Sequence, residues 1–443
     1  MKNKVEEFIR QPRKSLFKLA APIVIAMLVQ TMYHFIDTAF VGRLGAEAIA
    51  ALTFSYPLFF ILLAINVGIA TGMSSRISRY LGEKNRAAAE NIAIHGLFIS
   101  LGAAVVLFIL GLLLLEPIFG ILGAEGTVLK LAMDYMSIIL VGIFFMFPSF
   151  ILNSVFSAQG DTKTPMMIMV TALLFNIILD PIFIYWLGFG VRGAAIATVC
   201  AFLLSLTIFI HFVRRSYLRI SLRHFKYSFH LVKDIFKVGL PASFTMLLIS
   251  VYLIFINRFM AHFGTKYVAA SGLALRLESV STMPVVAFSL ATMTMVGMFF
   301  GAKRYDLMRM IAWYALKVGV LFSSVMGLLL FVFPSIFFRI FTSDPELLTI
   351  GVPYLRIDVL TYPLMAVVLI TTRTMQGMGK GIPGLVMNFV RVLVVAVPLA
   401  YVFVFVLGLG YLSVAAAMVT SAVVSSAVAL IWLRSKLKIG DGD

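Results

Sequence analysis

The chain has 443 residues, 61% of them hydrophobic and only 12% charged, with 36 Lys and Arg against 19 Asp and Glu. A soluble domain is nearer a quarter charged, so this composition excludes an ordinary soluble enzyme and indicates a polytopic membrane protein. The net charge of +17 sits in short clusters between apolar runs, which argues against nucleic-acid binding and suits loops at an anionic lipid surface.

Residues 1–15 form a polar, mostly basic N-terminal segment. No short hydrophobic region with a small-residue cleavage site follows, so no removable signal peptide is expected. Apolar runs of about 20 residues, long enough to cross a bilayer, then recur twelve times. The expected spans are 16–40, 51–76, 91–115, 129–157, 165–186, 192–213, 235–262, 272–299, 311–336, 350–375, 383–406 and 411–434. They divide into a first lobe at 16–213 and a second at 235–434, joined by a linker at 214–234 and followed by a tail at 435–443. The fold class is therefore all-α, with twelve transmembrane helices in two six-helix lobes. The N-terminus and segments 76–86, 214–226, 301–309 and 434–438 are basic, whereas 116–128 and 342–347 are neutral or acidic. By the positive-inside rule both termini, the linker and the tail are expected in the cytoplasm of a plasma-membrane protein. The lone Cys200 leaves no partner for an intrachain disulfide or a Cys-based zinc site.

The second lobe repeats the first. "FKLAAPIVIAMLVQ" at 17–30 resembles "FKVGLPASFTMLLI" at 236–249, an offset of 219, and "LGEKNRAAA" (81–89) matches "FGAKRYDLM" (300–308) at the same offset. "AQGDTKTP" (158–165) answers "MQGMGKGIP" (375–383), and "YWLGFG" (185–190) answers "FVLGLG" (405–410). Six spans separate equivalent points, so both copies enter the membrane in the same direction. Such a parallel repeat is a transporter arrangement. The copies differ in their acids: Ile256 stands where Asp37 would repeat, and Val397 and Pro398 stand near the counterpart of Asp180.

An aspartate near the centre of a spanning helix costs about 2.5–3.5 kcal/mol on insertion scales, so Asp37 needs a compensating environment. In helix 1, Gln30, Tyr33 or His34, and Asp37 are spaced by three and four and form one stripe facing protein or a wet cavity. In helix 5, Asn176 and Asp180 share a face, and Pro181 removes the amide that would have bonded the Ile177 carbonyl. Helix 6 carries Thr198, and helix 4 carries Tyr135 and Asn153. Two carboxylates, an amide and a hydroxyl are hard oxygen donors able to cage a cation such as Na⁺. The same acids, close together in a low-dielectric cavity, would share a proton. Both readings stay open, beside the blander one in which Asp37 is a hydrogen-bonded structural residue. His34 alone reads as a packing or rim residue before a proton carrier.

The second lobe brings Arg276 with Glu278, Arg356 with Asp358, and Arg391. Ion pairs that brace the lobe or a gate are the default expectation. A cationic cavity for phosphate groups is the sharper one. The six histidines form no HExxH or close metal-ligand cluster, and no GxxxxGK[ST] phosphate loop is present, so neither a metalloenzyme nor an ATP-driven machine is indicated. A structural or receptor-like protein would not need paired intramembrane acids.

With the twelve spans, "QTMYHFIDTAFVGRLG" in helix 1, "AQGDTKTP" before helix 5 and "NIILDPIFIYWLGFGVRGAAIAT" running from helix 5 into helix 6, the chain resembles the multidrug and toxic compound extrusion (MATE) family over nearly its full length. The likeness is to the archaeal and DinF-like branch. The resemblance implies export of amphipathic, often cationic, small organic compounds in exchange for H⁺ or Na⁺, with no other cofactor and with the chain acting as a monomer in the bilayer. By motif match it assigns ion coupling to Asp37, Asn176, Asp180 and Thr198, which would also be the Na⁺ ligands. It assigns the adjoining substrate cavity to Gln30, Tyr33, Tyr135 and Asn153, and a bend in helix 1 to Pro22. It assigns no role to His34, Arg276, Glu278 or Asp358. A lipid-linked oligosaccharide flippase of the wider superfamily is the alternative, and a membrane-embedded enzyme the more distant one.

Overall fold

The computed structural model describes residues 4–220 and 225–438. The expected N-terminal segment, linker and tail therefore lie partly outside the described residues, at 1–3, 221–224 and 439–443. Among the described residues the fold is all helix: α1 (Val5–Arg10), α2 (Pro12–Gly42), α3 (Ala46–Gly82), α4 (Arg86–Ile121), α5 (Gly126–Ala158), α6 (Lys163–Pro181), α7 (Val191–Val213), α8 (Phe229–Phe263), α9 (Thr265–Gly301), α10 (Tyr305–Val332), α11 (Pro334–Arg339), α12 (Pro345–Asp358), α13 (Thr361–Gly377), α14 (Ile382–Phe389), α15 (Val397–Tyr401) and α16 (Leu412–Leu437). Eleven spans are long and apolar enough to cross a membrane, and the bent pair α12 and α13 makes a twelfth. Residues exposed along these helices include Leu112, Leu113, Ile178, Leu321, Leu328 and Ile431, as lipid-facing surfaces require.

The repeat is visible in local backbone as well as in sequence. Gly45 and Gly264 open the second helix of each half at φ +114° and +128°, a conformation that a Cβ disfavours. Lys84 and Lys303 both take φ +57° in the turn leading to the third. After α6, Leu187 N bonds Ile182 O and Phe189 N bonds Phe183 O; at the equivalent place Leu407 N bonds Val402 O and Leu409 N bonds Phe403 O. The first bond of each pair closes a wide π-helical turn, over Ile182–Trp186 and Val402–Val406. Pro181 and Pro398 each lack the amide that would continue regular α bonding, and the ladder widens near both.

The expected continuous span 350–375 is broken, with α12 and α13 meeting at 48°. Two tight bonds, Leu360 N to Ile357 O and Tyr362 N to Val359 O, replace regular helix there. The Thr361 hydroxyl then donates to the Asp358 carbonyl at 2.7 Å, and Asp358 itself is buried.

By contact the chain divides into two compact units, Met1–Glu6 with Ala21–Ser243, and Glu7–Ala20 with Phe244–Asp443. The divisions fall beside Pro22 in α2 and Pro241 in α8, which are equivalent prolines of the repeat. In the first unit α5 packs against α3, α4 and α7, and α6 lies against α7; in the second α13 packs against α9, α10 and α16. The start of α8 belongs to the first unit and closes on α3 at glycines, with Ser243 the side chain beside Gly68. A Cβ on Gly72 would lie 2.0 Å from the Ile235 carbonyl oxygen, and one on Gly68 2.7 Å from that of Gly239. In the second unit the start of α2 packs Phe17 edge-on against Phe288 of α9, ring centroids 4.9 Å apart.

Candidate functional site in the first half

The second half of α2 runs from Pro22 to Gly42 as unbroken helix. Its end is seated by Val41 and Phe40, which pack with Ala48 and Leu52 of α3, Ile184, and Val191 and Ala194 of α7. The Tyr185 hydroxyl donates to the Phe40 carbonyl at 2.6 Å, so the turn after Asp180 is fastened to the turn after Asp37. On the stripe itself Tyr33 is buried, Asp37 half-buried, and Gln30 and His34 exposed.

Helix α6 contributes Asn176 and Asp180, which are 1% and 0% exposed. Asn176 Nδ2 donates to Asp180 Oδ1 at 3.4 Å. Asn176 Oδ1 and Asp180 Oδ2 have no hydrogen-bond partner among the described residues. Both orphaned atoms are acceptors, so the missing complement is a donor proton or a cation. Asp37 interacts electrostatically with Asp180. Tyr33 is in side-chain contact with Thr198 and feels Asp37, Asp180 and Tyr135. Thr198 donates its hydroxyl to the Ala194 carbonyl at 3.0 Å, leaving its oxygen lone pairs available.

Six of the residues singled out in sequence thus converge: Tyr33, Asp37, Tyr135, Asn176, Asp180 and Thr198. Asn153 lies 18 residues beyond Tyr135 on α5, about 27 Å along the helix, at a different depth. Pro22 is likewise 15 residues before Asp37, about 22 Å away along α2. Sequence reading missed Tyr56 of α3, which interacts with Tyr135, and Tyr185. Neither sits on a polar stripe that would have marked it.

The second half holds a separate buried cluster. Asp358 is 1% exposed with both carboxylate oxygens unpartnered, and it interacts with Glu278. Glu278 in turn feels Arg391, a 7% exposed residue whose guanidinium lies 5.1 Å over the Tyr252 ring. Tyr354 and Tyr362 complete the surround. The expected ion pair between Arg356 and Asp358 does not form among the described residues. Two positions apart on a helix they point in different directions, and the exposed Arg356 lies 5.9 Å over the Phe331 ring. Tyr354, Asp358 and Tyr362 are spaced four apart, a signal in the sequence that could have found this cluster.

The MatE family profile matches residues 22–182 and again 241–402, one copy on each half of the repeat. The chain belongs to the MatE family. Family members, abbreviated MATE, are multidrug efflux transporters, and the likeness extends along this whole chain. A probable multidrug resistance protein NorM from Thermotoga maritima is 28% identical over 97% of this chain and 94% of its own. An FAD transporter from Shewanella oneidensis is 27% identical over 87% of this chain and 86% of its own. Among solved structures, a MOP-superfamily transporter from Pyrococcus furiosus superposes with TM-score 0.91 at 31% identity, covering 96% of both chains. That protein is described as having a binding pocket of reverse polarity that suggests a different function. A MATE structure in a bent conformation gives TM-score 0.94 at 30% identity over 99% of this chain and 98% of that one. One in a straight conformation gives 0.92 at 30%, covering 96% of both chains.

Proposed function

We propose that this MATE protein is a secondary active exporter of amphipathic, cationic organic compounds, acting as a monomer. Export is driven by exchange for a cation, H⁺ or Na⁺, held by Asp37, Asn176, Asp180 and Thr198. The observation that carries this reading is the pair of buried oxygen acceptors without partners, Asn176 Oδ1 and Asp180 Oδ2. A proton on the carboxyl or a sodium ion among the oxygens would complete them, and the hardness of the donor set fits either.

In this reading the cation supplies the positive charge that lets two acids sit together inside the membrane. Asp180 and Asn176 hold it away from water, Asp37 brings the opposing charge from α2, and the contact of Tyr33 with Thr198 links α2 to α7. Binding then favours the arrangement of α2 in which these residues meet. Substrate occupies the neighbouring space beside Gln30, Tyr33 and Tyr135, with Asn153 reached only at another depth. The cation drives transport only if it binds the two arrangements with unequal affinity. Relatives have been solved in bent and straight conformations; in this reading the element that changes shape is α2, with Pro22 as the bending point. The two lobes are read as 16–213 and 235–434, with both termini in the cytoplasm by the charge pattern of the loops.

A lipid-linked oligosaccharide flippase is the weaker reading, since the named relatives are a multidrug resistance protein and an FAD transporter. The test is uphill transport by purified protein in liposomes, with a fluorescent organic cation and FAD as separate probes. Export of the cation under an imposed H⁺ or Na⁺ gradient, lost in Asp180→Asn, supports the proposal. Transport of FAD alone would replace the substrate class, and gradient-independent movement would remove the exchange mechanism.

A further inference from the structure

The segment joining the two halves of the repeat is fastened to the first by a histidine that plays no part in the site above. His95 of α4 is 2% exposed. Its Nδ1 lies 2.9 Å from the Asn91 carbonyl oxygen, and its Nε2 accepts from the backbone amide of Ser228 at 3.0 Å. A carbonyl only accepts and an amide N–H only donates. The two contacts together therefore admit one form of the ring, neutral, with its proton on Nδ1.

The same helix face reads the preceding backbone. Asn91 Nδ2 donates to the Lys226 carbonyl at 2.9 Å, and the Lys226 amide donates to Asn91 Oδ1 at 3.2 Å. The imidazole is flanked by Phe225 and Tyr227, ring centroids 5.0 and 5.9 Å away. Further upstream, Glu90 accepts from the Arg219 amide at 2.9 Å, and Gln159 accepts from that of Leu218 at 3.1 Å. Ser228 is also where α8 begins, because its carbonyl takes the amides of Leu231 and Val232. Asn91 and His95, one turn apart, thus hold the end of the linker and the start of α8 against α4.

Among the described residues, no carboxylate makes a hydrogen bond or ion pair with this ring. Glu90, on the same helix, is engaged by Arg86 at 2.8 Å as well as by the Arg219 amide. Asp234 of α8 is engaged by Arg76 of α3 at 3.1 Å and by His230 at 3.7 Å. Lys226 in the linker is a cation. The last four turns of α5 carry no charged side chain.

We infer that His95 is a proton-sensitive clasp on the segment that joins the two lobes. A proton taken from water onto Nε2 removes the only lone pair facing Ser228 and sets N–H against N–H. The bond is lost, a buried uncompensated cation is created, and the segment 225–228 with the first turn of α8 comes away from α4. Acidification on the side of the membrane that bears the linker would thereby loosen the first turn of α8, whichever cation is exchanged.

The test is hydrogen exchange by mass spectrometry on the full-length protein, following peptides that cover 225–235. It compares about pH 8 with about pH 5, corrected for the chemical pH dependence of exchange. Wild type should lose protection in this segment by about tenfold or more at the lower pH. His95→Gln, which keeps a neutral acceptor, should show no such loss. His230→Gln, which removes the neighbouring exposed imidazole, should behave as wild type. Protection that is flat with pH in wild type overturns the inference. So does an equal loss in His95→Gln, or abolition of the loss by His230→Gln. Should His95→Gln fail to fold, wild type and His230→Gln decide between them.

Discussion

Asn176 and Asp180 lie one turn apart on α6, joined at 3.4 Å, yet each keeps one buried oxygen that no described residue satisfies. A structural aspartate in a membrane helix would have both oxygens satisfied, because an orphaned buried acceptor costs about 1–3 kcal/mol. In the proposed function that deficit is what a bound proton or cation would relieve. Asp180→Asn brings its own donors to this pocket and removes the charge. Its melting temperature in detergent should equal or exceed that of wild type, while gradient-driven export falls to the level of empty liposomes. A variant that is stable and still exports would show that the charge is not needed.

Tyr185 ties the turn after Asp180 to the turn after Asp37 through the Phe40 carbonyl. Tyr185→Phe removes that bond and keeps the ring contact with Phe40, whose centroid is 6.4 Å away. A loss of about 1 kcal/mol in holding the two acids together is expected. It should appear as a roughly fivefold higher concentration of coupling cation for half-maximal export, with the maximal rate nearly kept. An unchanged half-maximal concentration would mean that the bond does not set the spacing.

The close approach of α3 and α8 rests on glycines. Gly72→Ala places a methyl 2.0 Å from the Ile235 carbonyl oxygen, and backbone there cannot step aside cheaply. We expect a loss of about 1–3 kcal/mol, read as a lower midpoint of thermal unfolding. Gly102→Ala in α4 meets open space and should be neutral or stabilising by up to about 1 kcal/mol.

In the second half, Arg391 is the buried cation beside Glu278, the acid that Asp358 in turn meets. Arg391→Met leaves those acids facing each other without it and should destabilise the protein by about 2 kcal/mol. Adding Glu278→Gln should recover part of that loss. Additive losses in the double variant would show that Arg391 and Glu278 do not interact.

Much of this was legible in the chain. Hydrophobic run length marked the spans, and the offset of 219 marked the repeat, because both follow from one-dimensional patterns. The spacing of Tyr33 and Asp37, and of Asn176 and Asp180, put residues that the structure brings together on single helix faces. Meetings between helices were not legible. Nothing in sequence places Tyr33 beside Thr198, or Asp358 beside Glu278; the break between α12 and α13 did carry a signal, since Pro363 in the first turn of α13 lacks the amide that would bond the Val359 carbonyl. His95 reads as a lone histidine in an apolar helix, since its partner is the backbone amide of a residue 133 positions away.

The first measurement to make is efflux of a fluorescent cation from liposomes holding wild type or Asp37→Asn, with a Na⁺ gradient or a pH gradient imposed alone. Wild type should accumulate the probe against its gradient under one of the two, and Asp37→Asn, equally folded, under neither. A variant that builds the same probe gradient as wild type would contradict an exchange site in the first half.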